Sequence, residues 1–77
     1  MLYKPEIIDE LNLLSRFNLH TTQEGVKIHS SADPRVIAAA RRLFDKGLTS
    51  QEDGGYLTPL GRTAAEHAQN LLQIING

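Results

Sequence analysis

The chain contains no cysteine. That absence excludes disulfides, thiolate nucleophiles and cysteine-type zinc sites, and it suits a reducing compartment. Long apolar runs are missing too. The longest, Val36–Ala40, is far too short to span a bilayer, and no basic start followed by an apolar stretch marks a secretion signal. The expectation is a cytoplasmic protein with no membrane association.

Metal and catalytic signatures are equally scarce. His20, His29 and His67 stand far apart, and none has a second ligand at metal-site spacing on its own element. Asp9-Glu10 and Glu52-Asp53 are adjacent carboxylates of the kind that solubilise a helix or turn, whereas acid-base work needs a pocket holding two separated environments. Ser30, Ser31 and Ser50 lie in no nucleophile elbow, and Gly54-Gly55 lacks the spacing of a phosphate loop. No metal, no cofactor and no enzymatic activity are expected.

What is present is one small domain. At 77 residues a folded chain buries about 60 to 65% of the surface it exposes when unfolded, and a core of that size is marginal. Help from a second subunit is therefore expected. The formal net charge is only −1, but it is unevenly spread: residues 1–24 sum to −2, residues 25–50 to +3 and residues 51–77 to −2. The basic third carries Lys27, Arg35, Arg41, Arg42 and Lys46 against Asp33 and Asp45, and it coincides with one helix. Concentrated charge of this kind can guide an acidic partner even when the total is near neutral.

Periodicity gives the elements. Pro5 suits a first helical position, and Ile7, Ile8, Leu11, Leu14 and Phe17 recur at helical spacing, so a helix is predicted over 5–17, with Leu13 and Leu19 widening its apolar face. Thr21 with Glu24 three residues on could cap a short turn. The alternation in Val26, Lys27, Ile28 and His29 predicts a brief half-buried strand. Asp33 as cap, Pro34 in the first turn and Gly47 at the end delimit the clearest helix; its predicted buried stripe is Val36, Ile37, Ala40, Leu43 and Phe44. Two strands follow around a turn built from Asp53, Gly54 and Gly55. Thr58 and Pro59 then start a last helix to about residue 75, with Leu60, Ala64, Ala68, Leu71, Leu72 and Ile75 as its stripe. Gly61 weakens that helix and so suggests a close approach.

Leu43, Lys46, Gly47, Leu48, Leu57, Thr58 and Gly61, within Arg42–Arg62, resemble the back half of a winged-helix domain. The whole chain also resembles a family of short uncharacterised bacterial proteins that share the segments ADPRVIAAARRLFDKGL and DGGYLTPLGRTAAEHAQ with two positions variable in each. That second resemblance carries no function with it. The first implies an α+β winged-helix-like domain over residues 1–77, its usual second helix reduced or absent because Val26 to Asp33 leaves no room for one. It also implies double-stranded DNA contact through Lys27, Arg35, Ala38, Ala39, Arg42 and Lys46, arginine and lysine for guanine edges and phosphates and the alanines for close approach. The last helix resembles a dimerisation helix.

Against DNA stands the wing tip, where Gln51, Glu52 and Asp53 occupy positions at which DNA-binding wings carry cations. Two functions are therefore expected in competition. One is a small DNA-binding or transcription-associated protein using the basic helix face. The other is a non-catalytic interaction or dimerisation module, a homodimer through the first and last helices or a binder of an acidic protein, in which those cations form a solvated, ion-paired surface.

Overall fold

The computed structural model describes residues 2–77. Its elements follow as α1 (Pro5–Leu14), β1 (Val26–Lys27), α2 (Pro34–Asp45), β2 (Thr49–Gln51), β3 (Gly54–Leu57) and α3 (Pro59–Asn76). This is the predicted α+β order of helix, strand, helix, hairpin and helix, with a single helix between β1 and the hairpin.

Local chemistry sets the ends. Asp33 accepts from the Arg35 N–H at 2.9 Å and Thr58 from the Gly61 N–H at 3.0 Å, each satisfying a donor that a first helical turn leaves free. At the end of α2, Gly47 takes φ of 78°, its N–H reaches the Phe44 carbonyl, and the Leu48 N–H reaches the Leu43 carbonyl at 2.9 Å. That pair of bonds is a Schellman closure, and it folds Leu48 back onto the core. α1 ends three residues sooner than predicted. The Ser15 hydroxyl takes the Leu11 carbonyl, and the chain tightens so that Phe17 N–H bonds Leu14 O, which still brings Phe17 inside.

The sheet order is β1-β3-β2, all antiparallel, so the return strand of the hairpin is central. Gly54 and Gly55 lie within β3, leaving Glu52-Asp53 as the turn. The physical reason is β1, which pairs Val26 with Gly55 and Lys27 with Gly54, while a register shift separates the Thr49 and Gln51 pairings across β2. φ values of 113° and 80° at the two glycines accommodate that irregularity. Thr21 caps no helical turn; its hydroxyl accepts from the Gln23 N–H at 3.1 Å in a local bend.

Small side chains fill the centre. The core comprises Leu13, Leu14, Ile28, Ala39, Ala40, Leu43 and Ala65, and Gly61 and Ala68 are buried on the same side of α3. α2 and α3 are thus turned toward Ala39 and Ala65, which the predicted stripes left out, and α1 toward Glu10 and Leu13. In α1, Ile8 is exposed and Glu10 is buried; in α2, Ile37 and Phe44 lie at the exposed boundary; in α3, Leu60 points outward and Ala65 inward. Alanine methyl groups at the α1–α2 and α1–α3 crossings permit an approach that bulkier side chains would prevent.

Candidate functional site

The six residues expected on a DNA-facing surface are dispersed by the fold. Ala39 is fully buried among the core residues, a correction: it lies on the side of α2 that packs inward, and no groove can reach it. Arg42 and Lys46 are turned toward α1. There the Arg42 Nε donates to Glu10 at 3.0 Å, its Nη2 donates to the Glu6 carbonyl at 3.1 Å, and the Lys46 ammonium donates to the other Glu10 oxygen. Glu10 is 5% exposed. It is the internal counterion of both cations: three residues after Ile7 and four before Leu14, it shares their face of α1, although its charge reads as surface.

Arg35 and Ala38 do face outward, with the Arg35 guanidinium 3.7 Å from Asp33. Arg41, outside the expected set, is exposed as well. Its Nε lies 3.4 Å from Glu52 across the space between α2 and the hairpin turn, and 3.9 Å from Asp45 one turn along. Lys27 donates to Asp53 and so holds that carboxyl below the usual carboxylate range. Five of the chain's eight lysine and arginine side chains are accordingly ion-paired. A sixth, Arg62, donates to the carbonyls of Leu19 at 2.9 Å and Thr21 at 3.1 Å, clamping the loop before β1 onto α3. Gln69 performs the same task on the Leu14 and Phe17 carbonyls. Sequence spacing offers no signal for either clamp, since the partners are more than 40 residues away.

A second surface lies at the far end of α3. Gly61, Ala65, Ala68, Leu72 and Ile75 form one helical stripe by spacing. Its first three members are buried, but Leu72 is 40% and Ile75 68% exposed, and beside them Leu71 is 48% and Ile74 77% exposed. The core ends before the stripe does. Residues 67–77 contain no lysine, arginine, aspartate or glutamate, so this apolar end has no charged fringe of its own.

No group of three histidine, aspartate or glutamate side chains able to hold a metal occurs among the described residues, and none of the described helices is long and apolar enough to cross a membrane. No curated protein and no solved structure matches the chain. The family described as "Family of unknown function (DUF5669)" matches residues 1–76, and the chain belongs to it.

Proposed function

We propose that this protein is a non-catalytic interaction module that pairs with a second copy of itself through the distal half of α3. The observation that carries this reading is the continuation of the core stripe into exposed Leu72 and Ile75, flanked by Leu71 and Ile74. These four side chains present on the order of 400 Å² of apolar surface, within the size at which patches on monomers are functional. At the usual apolar share of an interface that corresponds to about 700 Å² per partner, close to the roughly 800 Å² of a standard stable complex.

The charge pattern favours a second copy as the partner. In a two-fold pairing residue i meets j as j meets i, and side chains at the axis meet their own copies, so a charge near that axis faces its like. The uncharged segment 67–77 meets no such penalty. Sedimentation equilibrium is expected to show a dimer at tens of micromolar, and Leu72→Glu with Ile75→Glu to give a monomer with an unchanged circular dichroism spectrum, since both positions are exposed. A wild-type chain that stays monomeric up to about 1 mM would remove the reading.

A second reading, contact with DNA, is favoured by the β1-β3-β2 order behind α2 and by Arg35, Ala38 and Arg41 sharing the outer side of that helix. In this reading Arg35 and Arg41 touch the duplex, while Arg42 and Lys46 serve α1. Arg35→Ala with Arg41→Ala is then expected to lower the salt slope of duplex binding by about 2, whereas Arg42→Ala leaves the slope unchanged and lowers stability. Absence of saturable binding at tens of micromolar in low salt counts decisively against it.

A further inference from the structure

A groove of about 460 Å³ opens between α2, the end of β1 and the hairpin turn. It falls within the range of small-molecule sites. Ile28 and Ile37 give it an apolar wall, and four charged side chains, Lys27, Arg41, Glu52 and Asp53, stand along its rim. The formal charges cancel, so charge alone does not choose a ligand.

Hydrogen-bonding capacity does choose. Asp53 is engaged by the Lys27 ammonium, which has three protons and one carboxylate partner among the described residues. Arg41 has five N–H donors in a planar fork. Its carboxylate neighbours, Glu52 and Asp45, come nearest at Nε, at 3.4 Å and 3.9 Å, both longer than a charge-assisted hydrogen bond. Each rim carboxylate already rests beside a cation of the chain, Asp53 on Lys27 and Glu52 on Arg41, while both cations keep N–H donors to spare. A planar guanidinium held only by these longer ion pairs suits a carboxylate or phosphate taken side-on.

We propose that this groove binds a small organic oxyanion, a carboxylate or phosphate ester bearing a compact apolar group, with Arg41 on the anion and Ile28 and Ile37 against the apolar part. Glu52 is the internal competitor, resting beside Arg41 until the ligand displaces it. The site is remote in sequence from the α3 stripe and independent of self-association.

Phenyl phosphate titrated into the isotope-labelled full chain tests this, with benzyl alcohol and inorganic phosphate as the two half-ligands. Saturable amide shifts confined to residues 27–30, 37–41 and 52–53 are expected, with each half-ligand about tenfold weaker or worse. Arg41→Gln is expected to weaken phenyl phosphate about tenfold, the worth of a charge-assisted pair. Glu52→Gln is expected to tighten it about threefold, the worth of a surface ion pair released. Both side chains are exposed, so neither variant threatens folding. The proposal is overturned by no saturation at about 10 mM, by equal binding of either half-ligand, or by a Glu52→Gln variant that binds more weakly.

Discussion

Gly61→Ala is expected to destabilise the domain by about 3 kcal/mol, although alanine is the better helix former by about 1 kcal/mol. The reversal of sign follows from where α3 begins. A methyl group on Gly61 would overlap the Leu48 carbonyl oxygen, with the Leu48 carbonyl carbon at 2.8 Å and its Cα at 3.1 Å. All three are backbone atoms, so no rotamer change can relieve the clash. Leu48 is itself held on both sides, its N–H to Leu43 O at 2.9 Å and its carbonyl accepting from Thr58 N–H at 3.1 Å. The Thr58 hydroxyl adds a bond to the Gly47 carbonyl at 2.6 Å. Moving α3 away therefore breaks the junction that joins the end of α2, the start of the hairpin and the cap of α3. Gly47→Ala is the matched control: φ is 78° there but nothing lies within 4 Å of the added methyl, so only the backbone penalty of about 1 kcal/mol applies. Urea denaturation of the two variants separates the cases, and a Gly61→Ala protein as stable as wild type would mean that α3 does not sit against Leu48.

That glycine also shows which parts of the fold could be read beforehand. Its suspected role, close approach, came from a helix former's absence at a position where propensity asks for one, and the start and stop signals at Asp33-Pro34, Gly47 and Thr58-Pro59 came from chemistry confined to three or four residues. Such signals survive folding because their partners are neighbours in sequence. Helix phase is different. Ile37, Phe44, Leu60 and Leu71 dominate any apolar pattern, yet the structure buries Ala39 and Ala65 beside the expected Ala40 and Ala68 and leaves those larger side chains at or near the surface. Packing distance, which no single helix encodes, decided the phase. The candidate site inherited that error: Ala39 was expected outward because Ile37 and Phe44 were expected inward. The pairing of Arg42 with an acid of the first helix was foreseeable in kind, but not that one glutamate would take both Arg42 and Lys46 from 32 and 36 residues away.

Glu10→Ala is expected to cost about 2 to 3 kcal/mol, at or just below the bottom of the range for breaking a buried ion pair. Glu10 is nearly inaccessible, while its partners keep 31% and 47% of their side-chain surface, so the freed cations can partly rehydrate and the full penalty of a buried unpaired charge does not apply. Part of the loss is packing, because a carboxylate in that position also fills the α1–α2 seam. The triple change Glu10→Leu, Arg42→Met, Lys46→Met separates the two contributions: with no charge left to satisfy and the volume retained, stability is expected to return to within about 1 kcal/mol of wild type. A Glu10→Ala effect below about 0.5 kcal/mol in urea unfolding would place the three-residue cluster among ordinary surface pairs. The same variant bears on function. Removing Glu10 releases Arg42 and Lys46 from α1 and raises the net charge from −1 to neutral, so under the DNA reading nonspecific duplex affinity at low salt should rise as two further cations become available to phosphates. Under self-association through α3, Glu10→Ala leaves the dimer constant unchanged at temperatures where the fold persists, because its cluster lies on the α1–α2 side and the uncharged end of α3 takes no part in it.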